Sequence, residues 1–144
     1  MADRRLQTLI WIAALAGLGV SAYLTVVHYT SVPLVCSTSG AINCEQVLSS
    51  PYAVIAGTTL PTSAAGMVWF AVTAALAGMR LAGPNSPVVA RLQLAWSAIG
   101  LATIVGLVFI EIVVLGAICI WCTASHSLVV AIFLLVLSDR ATRN

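Results

Sequence analysis

The chain has 144 residues, of which 61% are hydrophobic and only 7% are charged. Because a soluble domain carries roughly a quarter of charged residues, this composition excludes a soluble globular protein. Six arginines and four acidic residues give a net charge of only +2, and there is no basic stripe interleaved with aromatic residues, which excludes a nucleic-acid-binding surface. At ~20 apolar residues per bilayer crossing, the chain has room for about four membrane spans.

Four segments are long and apolar enough to cross a membrane, and each is bounded by charged or turn-forming residues. In chain order they are residues 6–27, 61–82, 88–114 and 118–138. We therefore predict an all-α fold in which residues 1–144 form a single membrane domain, an integral membrane four-helix bundle. The loop at 29–60 carries two of the cysteines and is expected to be extracytoplasmic.

The arginines predict the orientation of this bundle. They precede the first span, flank the turn between the second and third, and follow the fourth: Arg4, Arg5, Arg80, Arg91, Arg140 and Arg143. Because an even number of spans places them all on one side, the positive-inside rule predicts cytoplasmic N- and C-termini. A multi-pass protein of the inner or plasma membrane is expected, with the loop at 29–60 and a short link at 115–117 outside.

All four cysteines are predicted to lie at the outer face. Cys36 and Cys44 are eight residues apart in the loop, whereas Cys119 and Cys122 stand at the start of the fourth span. Disulfides persist in an oxidising exterior. The placement therefore predicts two cysteine pairs that act either as structural bridges or as redox-active pairs.

The second pair forms the motif Cys119-Ile120-Trp121-Cys122, which places both sulfurs on one face of the first helical turn. Unpaired N–H groups and the positive end of the helix dipole favour a thiolate there, and the thiolate is the form that exchanges with disulfides. Zinc sites use the same spacing, but a structural zinc would need Cys36 and Cys44 as further ligands. We expect no metal.

The loop pair is compatible with two functions. Gly40 gives the chain freedom to close a Cys36–Cys44 bridge, which in the simpler case only stabilises the loop. In the other case a mobile disulfide takes electrons from a soluble partner and passes them to the helical pair. Since no charged residue lies deep enough to hold a metal or flavin, the predicted electron acceptor is a lipid-soluble quinone.

Three further side chains are candidates. Glu111 is the one carboxylate inside a predicted span, which makes it either a proton relay beside the cysteines or an interfacial residue. His28 ends the first span and is interpreted mainly as an interface anchor. Trp121, between the two cysteines, is expected to shield them or to line a quinone pocket.

Several segments together carry a family resemblance: Ser21-Ala-Tyr-Leu-Thr25, the Cys36 and Cys44 spacing, Asn43-Cys44-Glu-Gln-Val-Leu-Ser-Ser50-Pro-Tyr52, Leu60-Pro61 to Gly66, and Cys119-Ile-Trp-Cys122. With these features the sequence resembles the vitamin K epoxide reductase family, in its bacterial branch of membrane disulfide-forming enzymes. The resemblance covers nearly the whole chain. It implies a four-helix bundle that encloses a quinone, menaquinone or ubiquinone.

The resemblance also implies a role for each cysteine. Cys36 would form the mixed disulfide with a partner thiol. Cys44 would then attack Cys119, and Cys122, released as a thiolate, would face the quinone ring. Ser50 matches the family's loop serine, whose hydroxyl would hydrogen-bond the quinone or organise the loop.

Two positions depart from the family pattern. Vertebrate members have an asparagine near the start of the second span and a tyrosine four residues after the second helical cysteine, where this chain has Thr62 and His126. We expect Thr62 and His126 to contact the quinone in their place. Many bacterial relatives continue into a fused thioredoxin-like domain, whereas this sequence stops at Asn144. The expected partner is therefore a separate extracytoplasmic thioredoxin-fold protein of the DsbA type.

The resulting hypothesis is a quinone-dependent thiol oxidoreductase that generates disulfides in that partner. One alternative is a membrane carrier that captures a soft metal ion on the cysteine pairs, and another is an assembly subunit whose bridges are structural. A further alternative with the same chemistry is a different family of quinone-linked disulfide generators. Its cysteine pairs follow each other along the chain in the reverse order, which does not fit this sequence. The direction of electron flow, the quinone type, the partner's identity and the oligomeric state stay open.

Overall fold

The computed structural model of the chain describes residues 2–30, 33–36, 39–83 and 86–142, with side chains from Arg4 onward. Within this part of the chain the named elements are all helical: α1 (Ala2–Thr30), α2 (Cys44–Leu48), α3 (Thr62–Ala82), α4 (Pro87–Phe109) and α5 (Ile120–Ala141). A 3-10 turn at Pro51–Ala53 follows α2, and a π-helical segment at Ile110–Leu115 extends α4. The predicted all-α class is confirmed.

The long helices α1, α3, α4 with its π-helical extension, and α5 are apolar and long enough to cross a membrane. A helix suits this environment because it satisfies every backbone polar group within its own segment. Each overlaps a predicted span, with shifted ends. Helix α1 extends the predicted 6–27 at both ends, and α5 begins at Ile120 because Cys119 is its N-cap.

The centre of the bundle is an apolar core between all four long helices. Phe70 of α3 is only 2% exposed and lies against Gly17 of α1, where a Cβ atom would overlap the Phe70 ring. Gly100 of α4 accommodates the ring of Trp69 in the same way. Such small residues allow the close helix packing that membrane bundles depend on. The other buried core residues are Ile10, Ala14, Ala74, Ala77, Ile104, Val129, Ile132 and Val136.

The helices alternate in direction, so that the molecule has two distinct ends. The cysteine end comprises the loop between α1 and α3 and the link at 116–119. There the Asn43 N–H donates to the Ile118 carbonyl (3.1 Å), and the Ile118 N–H donates to the Ala41 carbonyl (2.8 Å). The arginine end comprises the start of α1, the turn between α3 and α4, and the end of α5. It carries Arg4, Arg5, Arg80, Arg91 and Arg140, whereas Arg143 lies outside the described residues.

A buried polar network crosses the bundle at the arginine end. The side chain of Arg80 is 1% exposed and forms an ion pair with Asp139 at 2.7 Å. Arg80 also donates to the Gln93 side-chain carbonyl (2.8 Å), and Gln93 donates to Gln7 (3.0 Å). This network connects α1, α3, α4 and α5. Arg80 is therefore a buried residue of the bundle, whereas its position beside a turn in the sequence indicates only which side of the membrane it faces.

Candidate redox site

The four cysteines are present as one disulfide and two thiols. Cys36 and Cys44 are bridged, and Cys119 and Cys122 are free. Cys44 is the first residue of α2, whose N-cap is Asn43, and the Asn43 side-chain carbonyl accepts a hydrogen bond from the Gln46 N–H at 3.0 Å. This cap starts the short helix α2 within the loop. It fixes Cys44 in a fully buried position.

The loop is attached directly to the link that precedes α5. Besides the two backbone bonds at Ile118, the Gln46 side-chain amide donates to the Leu115 carbonyl at 3.0 Å. A small buried cluster forms beneath these bonds, and the remaining cysteines pack against it. Its buried members are Cys44, Val47, Ala117 and Cys119, with Cys36, Cys122, Leu34, Leu115 and Trp121 at its edge. The structure thus brings all four cysteines into one cluster.

Cys119 is the N-cap of α5, and its sulfur accepts a hydrogen bond from the Cys122 N–H at 3.4 Å. A hydrogen bond from the Cys122 thiol lowers the pKa of Cys119 below that of an ordinary thiol, and N–H groups of the first turn lower it further. Burial of Cys119 and the nearby charge of Glu111 oppose this shift. The arrangement favours the thiolate at Cys119, with Cys122 as its hydrogen-bond donor.

Glu111 lies in the π-helical segment at the end of α4 and is 7% exposed. Its carboxylate faces the Cys119 N–H and the Cys122 thiol, and the single proton of that thiol can be donated either to Glu111 or to the Cys119 sulfur. Gly116, in the left-handed conformation at φ 61°, closes this segment and allows the chain to turn into α5. Of the two interpretations of Glu111, the structure therefore supports a carboxylate beside the cysteine pair, since the side chain is buried against both thiols.

A cavity of about 310 Å³ lies between the long helices beneath the loop. Its lining is mainly apolar and aromatic, with polar groups contributed by each of the long helices and by the loop, as is typical of small-molecule sites. Cys122, Ser125 and His126 follow each other on one face of α5 and all line it, together with Glu111. The Ser125 hydroxyl oxygen is buried and has no hydrogen-bond partner among the described residues.

Two of the predicted quinone contacts carry hydroxyl groups. Ser50 and Thr62 line the cavity, but the Ser50 hydroxyl donates to the Val47 carbonyl (2.7 Å) and the Thr62 hydroxyl donates to the Tyr52 carbonyl (3.2 Å). Both protons are used to hold the segment between α2 and α3. For Ser50 this supports the loop-organising interpretation.

Trp121 lies outside this cavity, on the side of the loop. Its indole N–H donates to the Val35 carbonyl at 3.0 Å, and its ring lies 5.0 Å from that of Tyr23. These contacts support a role in covering the cysteine cluster, the first of the two expectations for this residue. His28, expected as an interface anchor, lines the cavity and packs edge-on against Tyr29.

Sequence reasoning missed several lining residues. Trp69 and Trp96 face the cavity as a pair in which each indole N–H donates to the other's backbone carbonyl at 3.2 Å. Their pairing depends on how α3 packs on α4, so no local pattern could have found it. Ser125 could have been found, because it follows Cys122 by three residues on a predicted helix.

The described residues contain no group of three or more His, Cys, Asp or Glu side chains placed to hold a metal ion. These residues therefore give no support to the alternative in which the protein carries a soft metal ion.

Comparison with known proteins agrees with this geometry. Residues 8–137 match the model of the Vitamin K epoxide reductase family, and the chain belongs to that family. Membership of this family makes the protein a membrane thiol–disulfide oxidoreductase, and the disulfide loop packed on a pair of free thiols fits that class. A search of curated proteins finds no match to this chain.

Proposed function

We propose that the protein is a quinone-dependent thiol oxidoreductase that generates disulfides in an extracytoplasmic thioredoxin-fold protein of the DsbA type. Electrons would pass from the partner to the pair Cys36 and Cys44, then to Cys119 and Cys122, and finally to a membrane quinone. The observation that carries this proposal is the single cluster of four cysteines at the edge of an apolar cavity.

The first exchange takes place at Cys36. This residue is half-buried, whereas Cys44 is fully buried, so an incoming partner thiolate has access to Cys36. Attack on Cys36 breaks the loop disulfide, forms a mixed disulfide and releases Cys44 as the leaving thiolate. The second partner thiol then displaces Cys36, which leaves the partner oxidised and the loop pair reduced.

The second exchange transfers the electrons to the helical pair. Cys44 attacks Cys119 of an oxidised Cys119–Cys122 bridge, and Cys122 leaves. Cys36 then attacks Cys44, re-forms the loop disulfide and releases Cys119. The low pKa of Cys119 makes it a good leaving group, and the product is the redox state seen in this structure.

The third step re-oxidises the helical pair at the cavity. A quinone held in the cavity would supply the two-electron acceptor and would leave as the quinol. On the protein side, Glu111 would take the Cys122 proton, and the Cys119 thiolate would form the S–S bond to Cys122 as the two electrons of the pair pass to the acceptor. Of the two protons on the quinol, one would come from Cys122 through Glu111 and the other from water, which takes up the Cys119 proton when that thiol ionises. The buried, unpartnered hydroxyl of Ser125 fits a quinone carbonyl oxygen, and His126 lies beside it as a second polar group.

The expected orientation follows from the two ends of the bundle. The described arginines share one end, and the cysteines share the other. With the positive-inside rule, the arginine end and both termini face the cytoplasm of an inner or plasma membrane. The loop disulfide then faces the oxidising exterior, where a thioredoxin-fold partner meets it.

The test is quinone reduction by purified protein supplied with a reduced thioredoxin-fold dithiol protein. Cys122→Ala removes the thiol that the proposal places at the cavity, so we expect a rate at least ~10³-fold lower, as for loss of a nucleophile. Ser127→Ala is the matched control, because Ser127 is exposed on the same helix. A Cys122→Ala protein that oxidises its partner at the wild-type rate would overturn the assignment.

A further inference from the structure

A second cavity lies at the arginine end, on the side opposite to the redox site. It has a volume of about 250 Å³ and is formed by α4 and α5 with the end of α3. The charged residues that line it are Arg80, Arg91, Arg140 and Asp139, and its apolar lining includes Leu94 and Val136. The redox chemistry described above uses none of these residues.

The charges in this cavity are unbalanced. Arg80 and Asp139 are paired at 2.7 Å in the interior. Arg91 and Arg140 are exposed, and neither forms an ion pair within the described part of the chain. Three arginines against one aspartate leave a net charge of +2. Guanidinium groups bind phosphate oxygens through paired N–H donors, so the lining is suited to a phosphate group.

The position of the arginines distinguishes between a lipid phosphate and a free one. Arg91 lies in the second turn of α4, and Arg140 is the penultimate residue of α5, so both stand where spans meet the membrane surface. Leu94 and Val136 lie about one helical turn further into the spans, where Val136 belongs to the apolar core of the bundle and Leu94 packs against that core. A phospholipid meets both environments, since it has a phosphate at the surface and acyl chains below it.

We infer that this cavity binds an anionic phospholipid, with its phosphate held by Arg91 and Arg140 and its glycerol and upper acyl chains against Leu94 and Val136. The ion pair of Arg80 and Asp139 forms the rigid base of the site. This inference rests on the second cavity alone and is independent of the proposed electron transfer.

The experiment uses delipidated full-length protein in a neutral detergent, titrated with phosphatidylglycerol, with phosphatidylcholine and with inorganic phosphate, and read by native mass spectrometry. We expect phosphatidylglycerol to bind and the other two to bind at least tenfold more weakly. Arg91→Gln and Arg140→Gln should each weaken phosphatidylglycerol binding about fivefold, and the double variant more strongly. Thermal melting without lipid verifies that these exposed substitutions leave the fold intact.

The matched control is Arg4→Gln combined with Arg5→Gln, which removes two exposed charges from the same end but outside the cavity. This variant should bind phosphatidylglycerol within twofold of the wild type. Equal weakening by the control would show general surface attraction and overturn the site. Equal binding of phosphatidylcholine would overturn the need for an anionic lipid, and equal binding of inorganic phosphate would overturn the assignment to a lipid.

Discussion

At the arginine end, the buried side chains of Arg80 and Asp139 face each other at 2.7 Å, so each charge has a partner of opposite sign. At the cysteine end, the buried carboxylate of Glu111 has no cationic partner among the described residues and faces two thiols. Both groups lie within the same small bundle, yet only the first is neutralised as an ion pair.

This difference assigns different tasks to the two ends. A paired buried charge is held in one state, because loss of either partner leaves an uncompensated charge in a medium of low dielectric constant. A buried carboxylate that faces thiols and has no cationic partner can exchange a proton with them at little structural cost. We therefore expect substitutions at the arginine end to change stability and substitutions at the cysteine end to change the rate.

The largest expected effect is on stability at the arginine end. Arg80→Gln leaves Asp139 buried without its ion-pair partner and should lower the free energy of unfolding by about 3–5 kcal/mol. The midpoint of unfolding by sodium dodecyl sulfate in mixed micelles measures this change. The double variant Arg80→Met, Asp139→Leu should recover most of the stability, and a double variant as unstable as Arg80→Gln would contradict the electrostatic explanation.

The next effect is on the rate at the cysteine end. Glu111→Gln keeps a carbonyl acceptor for the Cys119 N–H but removes the carboxylate that we propose as the acceptor of the Cys122 proton. Quinone reduction should slow by about 10²-fold, while unfolding shifts little. Glu45→Gln, at an exposed carboxylate of α2, is the control and should retain the wild-type rate. If both variants reduced quinone equally fast, Glu111 would have no role in proton transfer.

A smaller effect concerns the cavity wall. Ser125→Ala removes the buried hydroxyl that we propose as a hydrogen-bond donor to a quinone oxygen, and one hydrogen bond contributes about 1 kcal/mol. The KM for quinone should therefore rise about fivefold with a nearly unchanged kcat, and Ser127→Ala should leave both values unchanged. An unchanged KM in Ser125→Ala would show that the hydroxyl does not contact the acceptor.

The smallest expected change is in the pH dependence of Cys119. Because hydrogen bonding lowers its pKa, Cys119 is a thiolate down to a lower pH than an ordinary cysteine, and its reactivity falls only as the pH drops through that lowered pKa. Cys122→Ala removes the largest cause, so the alkylation profile of Cys119 should move to higher pH. Mass spectrometry in a Cys36→Ser, Cys44→Ser background measures it, and coincident profiles would contradict the assignment.

Much of the architecture could be predicted because membrane insertion imposes it on the sequence. The four spans follow from apolar length, and the cysteine and arginine ends follow from which connections carry each residue type. The short helix at Cys44–Leu48 also has a local signal, since Asn43 is a good N-cap residue. The positions of these elements could be predicted without knowing how the helices pack.

The rest depends on contacts between distant segments. Arg80 stands at the end of an apolar run next to a turn, and only its packing against α5 shows that it is buried on Asp139. The direction of Trp121 toward the loop follows from its bond to Val35, far away in the chain. The Trp69 and Trp96 pair likewise requires the relative placement of two helices.

The proposed relay depends on thiol–disulfide exchange between Cys44 and Cys119, and trapping the mixed disulfide of these two residues is its most direct test. In Cys36→Ala combined with Cys122→Ala, each of these two cysteines lacks its own partner, and both are buried in the same cluster. Mild oxidation followed by peptide mapping should then yield the Cys44–Cys119 disulfide as the main intramolecular product. The control is Cys36→Ala combined with Cys119→Ala, in which the corresponding Cys44–Cys122 disulfide should form in much lower yield. Two thiols that stay reduced in the first variant, or equal yields in both, would contradict the relay.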